Sequence, residues 1–201
     1  MDTSRCKDEA AFAAEIIQRA VWLSYADGHA GDLTRAQWAA LRFFGRATRY
    51  SQTLTAFADY HATSLGSASQ TLKVLVAKGF LVRSRLDNDS RSFRFSLTEK
   101  GWLLLETDPV IELVRAISAL PRSDLARLST LMETVHSNMV EVRRCANLGV
   151  CGTCAHFKEP FGEQDDAAVG FCSRAKGEIC ETDFHMLCAR YRPHLPATGA
   201  A

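Results

Sequence analysis

Five of the seven cysteines of this 201-residue chain are spaced Cys-x2-Cys-x17-Cys-x7-Cys-x7-Cys from Cys151 to Cys188. A two-residue gap lets the thiolates of Cys151 and Cys154 converge on one metal ion, with Gly152 easing the tight turn between them. Two more distant thiolates complete a four-ligand site. Cys172, which follows a Gly-Phe pair able to turn the chain inward, and Cys188, which ends the last ordered segment, are the expected partners; Cys180 is a possible substitute. On spacing alone the plain reading is a structural zinc clasp, giving a small, loop-rich appendage the stability its few apolar residues cannot. Metal-free redox thiols are a third option. Cys6 and Cys145 read as ordinary thiols, and His156, His185 and His194 as spare donors that five cysteines make unnecessary. A thioredoxin-type Cys-x-x-Cys needs a βαβ setting that residues 145–160 do not offer. No Gly-x-Ser-x-Gly, phosphate loop or paired-carboxylate motif gives catalysis a foothold, so no enzyme is expected.

A second group of residues carries a different chemistry. The pattern LTAFADYHA gives one short helix, and LGSASQTLKVLVAKG gives another that places Leu65, Ala68, Leu72 and Leu75 on one face before Gly79 stops it. Near the start of the second helix stand Ser64, Gly66, Ser67, Ser69 and Gln70, with Lys73 a turn later. Such groups at a helix N-terminus suit double-stranded DNA: Gln70 to read adenine bidentately, the serines to bond bases or phosphates, Lys73 to contact phosphate. The cap is either Ser64 or Ser67, the latter in a Ser-Ala-Ser-Gln capping box that would engage Gln70 with backbone; Ser64 is the preferred register. LVRSRL, DNDS and RSFRFSL then form a hairpin with Phe93, Phe95 and Leu97 alternating with polar residues. Asp87 and Asp89 would hold the turn and orient Arg91, which becomes the minor-groove candidate, with Arg85 and Arg94 on the DNA backbone.

The run VAKGFLVRSRLDNDSRSFRFSLTEKG, with Asp87-x-Asp89-x-Arg91 and Leu97-Thr98-Glu99-Lys100-Gly101, resembles the winged-helix core of the multiple antibiotic resistance regulator (MarR) family. Leu33-Thr34, Gln37-Trp38 and Ala40-Leu41 look like that family's second helix. The resemblance spans roughly residues 9–142 and implies a dimeric transcription regulator of winged helix-turn-helix fold, mainly α with a small β-wing, which binds a palindromic operator. It does not reach the cysteines. There, Cys151-x2-Cys154, Gly170-Phe171-Cys172 and Leu187-Cys188-Ala-Arg-Tyr191 are faintly similar to the layout of high-potential iron–sulfur proteins. That similarity implies a four-iron four-sulfur cluster in an aromatic shell of Phe157, Phe161, Phe171, Phe184 and Tyr191, and makes an iron–sulfur cluster the favoured occupant over zinc.

These groups need elements to position them. Residues 9–26 read as an amphipathic helix with Phe12, Ile16, Ala20 and Leu23 on one face, widened by Ile17 and Val21. Thr34 should cap a helix burying Trp38, Leu41 and Phe43 or Phe44. After the wing, a helical piece at 103–106 is interrupted by Pro109, a second runs over 110–117, and Ser123 should cap a long last helix with Leu125, Leu128, Met132, Val135, Met139 and Val142 in a seam. Stripes this wide at both flanks form either an intrachain core or, the preferred reading since the winged unit has its own core, a homodimer interface, which the family resemblance also implies. The expected divisions are 1–32 (dimerisation helix), 33–101 (DNA-binding), 102–144 (dimerisation helices), 145–192 (cysteine-rich segment) and 193–201 (frayed tail).

A formal charge of +1 leaves any DNA attraction to local basic patches. The start MDTSRCKDEA lacks a signal peptide's apolar centre and no run is long enough for a bilayer, so a cytoplasmic protein without membrane contact is expected. The leading reading is a regulator whose operator affinity follows the state of the cysteine-ligated centre. The alternatives are a repressor answering a small aromatic effector bound between winged domain and dimer helices, with zinc purely structural, and a redox or electron-transfer protein.

Overall fold

The computed structural model describes residues 3–25, 33–86, 89–159 and 168–194. Helix α1 (Thr3–Leu23) precedes α2 (Arg35–Arg46), α3 (Leu54–Tyr60) and α4 (Leu65–Ala77). Strands β1 (Leu81–Leu86) and β2 (Asp89–Leu97) form an antiparallel hairpin, followed by α5 (Glu99–Leu105), α6 (Ile111–Ser118) and α7 (Arg122–Arg143). The cysteine-rich part holds a one-turn 3-10 helix (Cys151–Thr153), a three-stranded antiparallel sheet of β3 (Phe157–Lys158), β4 (Ala168–Cys172) and β5 (Gly177–Cys180), and the single turn α8 (Glu181–Phe184).

Local signals set these boundaries. Thr34 caps α2 in a reciprocal capping box with Gln37, satisfying two amide donors that the helix start leaves open. The face of α2 then buries Trp38, Leu41, Phe43 and Phe44 together against Phe57, Ala68, Leu72, Leu75, Leu81 and Phe95. Both phenylalanines are inside, packed edge-to-face at 5.1 Å. Gly79, at φ +75°, ends α4 where a side chain would be strained. The Leu97–Gly101 motif locks the wing to the end of α4: Thr98 Oγ1 donates to Gly79 O (2.7 Å) and accepts from Gly101 N (3.1 Å), and Lys100 Nζ donates to Lys78 O (2.9 Å). A Cβ at position 101 would stand 2.3 Å from Phe80 O, so only glycine fits that approach.

Three expectations shift. Leu65 is 55% exposed, so the buried face of α4 consists of Ala68, Leu72 and Leu75. The long α7 starts one residue after Pro121, whose ψ of 145° supplies the extended entry; Ser123 lies inside the first turn and does not cap it. Pro193, expected in a frayed tail, pairs with Cys154, and the chain beyond His194 lies outside the described residues.

Helices α1, α6 and α7 make hardly any packing contacts with other elements of the chain among the described residues. The end of α1 is tied to α2 by Arg42, which donates to the Tyr25 hydroxyl (2.7 Å) and pairs with Asp108 (2.8 Å), while Arg35 lies over the Trp22 ring. The apolar stripe of α1 stays open, with Phe12 at 68% and Ile16 at 52% exposure, and so does the α7 seam at Val135 and Met139. No helix among the described residues is long and apolar enough to cross a membrane.

Candidate nucleic-acid interface and cysteine cluster

Helix α4 starts at the earlier of its two possible caps. Ser64 Oγ accepts from Ser67 N (3.1 Å) and the two hydroxyls are 3.0 Å apart, so the helix begins with Leu65 and a Ser67 capping box does not form. In this register Ser64, Gly66, Ser67, Gln70 and Lys73 are exposed and Ser69 is half-buried. The exposed residues recur at 64, 67, 70 and 73 along one side of α4, opposite the side that Ala68, Leu72 and Leu75 bury in the core.

In the hairpin, Arg83 stands opposite Phe95 and Arg85 opposite Phe93, whereas Arg94 stands opposite Ser84. Directly paired residues of an antiparallel ladder share a face. Arg83 and Arg85 therefore share the side of Phe93 and Phe95, and Arg94 takes the other. Arg85 and Arg94, both expected on the DNA backbone, thus stand on opposite faces of the hairpin, because one residue of offset inverts the face. Arg94 Nε is buried with no hydrogen-bond partner among the described residues. Arg83, not among the expected contacts, stacks its guanidinium 3.3 Å from the Phe93 ring centre and joins Ser69 and Lys73 in lining a cleft of about 430 Å³ between α3, α4 and the wing. Strand alternation with Phe93 and Phe95 was the signal that could have found it. Asp87 lies outside the described residues, and Asp89 and Arg91 are described only as backbone at the start of β2, where a register shift follows Arg85.

In the cysteine-rich part, Cys151 and Cys154 are buried on the 3-10 turn, and Cys154 N closes it onto Cys151 O (3.0 Å). Cys172 ends β4, where its sulfur accepts the Ala175 amide at 3.4 Å within the turn that Lys176, at φ 55°, completes. Cys188 N donates to Gly149 O (2.9 Å), and Ser51 Oγ donates to its sulfur at 3.7 Å. Burial pushes the Cys151 thiol up to about 12, with the charges of Cys188, Cys172, Cys154 and Asp183 adding in that order. So the three other expected ligands all lie close enough to Cys151 to act on its charge. Cys180 is engaged apart from them, 3.0 Å from Thr182 Oγ1 and 3.4 Å from Asp183 Oδ2.

The fit to a thiophilic metal is one of donor chemistry. Thiols whose mutual repulsion opposes ionisation are what a cation relieves, and two of the four sulfurs already accept N–H or O–H donors, as metal-bound thiolates do. The side chains are not drawn together as a finished site: among the described residues no group of three or more Cys, His, Asp or Glu side chains is arranged to hold a metal ion. Of the expected aromatic shell, Phe157 and Phe184 pack at 5.2 Å, Phe184 against Gly152 and Tyr191 against Gly149. Phe171 is 37% exposed and points out of such a shell, and Phe161 lies outside the described residues.

A capped reading helix, a short helix before it and a two-stranded hairpin after it define a winged helix-turn-helix. Residues 31–92 match the model of the MarR family. Over 70% of its length the chain is similar in fold to a MarR family protein from Bacillus stearothermophilus (14% identity, TM-score 0.54, 99% of that chain covered). It is likewise similar to Streptococcus pneumoniae FabT in complex with DNA (18%, 0.51, 70% and 99%) and to the S. aureus MepR–DNA complex (18%, 0.53, 64% and 96%). No curated protein matches the sequence.

Proposed function

We propose that this protein is a dimeric, sequence-specific transcription regulator that places α4 in the major groove and its hairpin beside the DNA backbone. The observation that carries the reading is the Ser64 register, which leaves Gln70, Ser67 and Lys73 exposed on one side of α4 within a segment that matches the MarR family. Gln70 reads a base edge, Lys73 a phosphate, and the amides at the start of α4 a second phosphate. Arg91, in the first turn-side residues of β2, is our candidate for the minor-groove contact, and Arg83 and Arg85 line the face shared with Phe93. The two DNA-bound relatives in fold support this placement. Dimerisation through α1 and α7 would cover the apolar stripes that both helices leave open. The test is selection of binding sites from a random duplex library with full-length protein: half-sites about one helical turn apart are expected, and binding without sequence preference would end the proposal.

The input we assign to a centre held by Cys151, Cys154, Cys172 and Cys188, with the engagement of Cys180 by Thr182 and Asp183 favouring its exclusion. When bound, an iron–sulfur cluster supplies a charge that changes with oxidation or iron supply, whereas zinc supplies a fixed cross-link. The chain's own part is to bury the close pair and to aim Ala175 N–H and Ser51 O–H at the other two sulfurs. Brown, air-sensitive protein from anaerobic purification supports the cluster; colourless protein with stoichiometric zinc replaces it by the clasp. A second reading is an effector-responsive repressor. The cleft beside Arg83, Lys73, Phe93 and Phe95 offers cations and aromatic faces to a small aromatic acid, at a different place from the expected one between winged domain and dimer helices.

A further inference from the structure

The segment leading from α2 into α3 is held by the cysteine-rich part along its length. Leu187 donates to Arg46 O (2.6 Å) and accepts from Thr48 N (2.8 Å), with the fully buried Ala47 bridged to it between. Arg49 N donates to Asp183 Oδ1 at 2.9 Å, and its Nε lies 3.1 Å from Oδ2. The Arg49 guanidinium and the Tyr50 hydroxyl both donate to Glu178 O. Ser51 has no exposed surface. Its oxygen accepts from Ala189 N (3.0 Å) and from Thr48 Oγ1 (3.3 Å), which fills both lone pairs and leaves its one proton for Cys188 Sγ at 3.7 Å. The next residues face the other way. Gln52 O accepts Phe95 N of the wing (2.9 Å), and Thr53 caps α3 through Ala56 N (3.2 Å).

We infer that residues 46–52 are a strap through which the cysteine-rich part sets the DNA-reading geometry within its own chain, with Ser51 and the Arg49–Asp183 pair as positioning residues. This rests on the proposal that the cysteine-rich part regulates DNA binding, and adds the route. Ser51, which meets Cys188 and Ala189, is next to Gln52, which holds β2, and two residues from Thr53, which caps α3, so shifting the cysteine side moves the start of the helix-turn-helix. A buried hydroxyl with all its valences used has no alternative partner to turn to.

Coupling of this kind is reciprocal, which supplies a test that does not depend on metal. Full-length protein as purified is treated with iodoacetamide, and alkylation of each cysteine is followed by peptide mass, with and without a duplex selected from the random library. Affinity for that duplex is measured before and after treatment. The expected wild-type result is a loss of affinity of about five-fold or more on alkylation, and slower alkylation of Cys188 when the duplex is bound. In Ser51→Ala and in Arg49→Gln both effects should shrink towards none. Where Ser51→Ala fails to fold, because it strands two donors, Arg49→Gln carries the test, since the Arg49 side chain is itself 40% exposed and Asp183 keeps the Arg49 N–H. Wild-type protein without either effect overturns the strap, and so do variants that keep both effects at full size. Metal analysis separates the two ideas. Reciprocal coupling in protein carrying neither iron nor zinc keeps the strap and removes the metal input; stoichiometric metal without coupling leaves a clasp and removes the strap.

Discussion

If α4 begins at Ser64 and that end meets DNA, then stability and DNA binding should part company at this one residue. Ser64→Ala removes the acceptor of Ser67 N–H at 3.1 Å. Because the helix start is exposed, water takes over part of that role, and the cost should be about 1 kcal/mol, or about 2–4 °C in Tm for a chain of this size. Ser64→Asp keeps the cap, since an aspartate accepts the same amide and its charge suits the positive end of the helix. Its Tm should stay within about 2 °C of wild type. Yet it sets a carboxylate against phosphate in both half-sites, and like charges opposed across an interface cost several kcal/mol. The expected loss is about a hundred-fold or more in Kd, about 2.7 kcal/mol, and it should narrow as added salt screens the repulsion. Thermal melting and fluorescence anisotropy against the selected duplex across a salt series measure the two halves. A Ser64→Asp protein that melts and binds like wild type would remove the start of α4 from the DNA interface, whatever its cap.

Gln70→Ala should relax base preference at one position per half-site, costing roughly 1–3 kcal/mol on the selected duplex and little on random DNA; competition with singly substituted duplexes reads this. Lys73→Ala should weaken all sequences alike and lower the slope of log Kobs against log salt by about one unit per site in titrations. Deleting residues 1–27 should give monomers or aggregates in size-exclusion chromatography, because the α7 seam loses its cover; a soluble monomer with full operator affinity would refute the interface. Serine at Cys151, Cys154, Cys172 or Cys188 should abolish or severely reduce bound metal by elemental analysis, while serine at Cys145 or Cys180 should leave it in place.

What the sequence makes legible here is whatever a short window decides. Thr34 with Gln37, Ser64 before an apolar run, Gly79 after one and the alternation through Phe95 each act over a few residues, and each stands where expected. The rival cap at Ser67 obeyed the same local rules, and only the core demand on Ala68, Leu72 and Leu75 separates the two. That Arg85 and Arg94 take opposite faces was hidden for a different reason: in a hairpin, face is a matter of parity, and the register is set across the ladder. Pro121 displaced Ser123 as the start of α7 because a proline fixes the entry without any side-chain cap. The contacts that join the cysteine-rich part to the reading helices were out of reach altogether. Arg49 and Asp183 are 134 residues apart, and Ser51 and Cys188 137, so neither carries any periodic trace of its partner.

The burial of Ala189 also orders events in time. It sits in the same core as Trp38, Leu72 and Phe95, a core otherwise drawn from Tyr25, residues 33–105 and Ala146. At about 5–20 residues per second, the 92 residues between Leu97 and Ala189 delay that last piece by roughly 5–20 s after the wing has been made. Throughout that interval the emerging reading head carries an open notch at Ser51, whose oxygen has only Thr48 to bond. A nascent chain can therefore shape its helix-turn-helix before it can finish it, and the final closure waits on the same stretch of polypeptide that brings Cys188 into place.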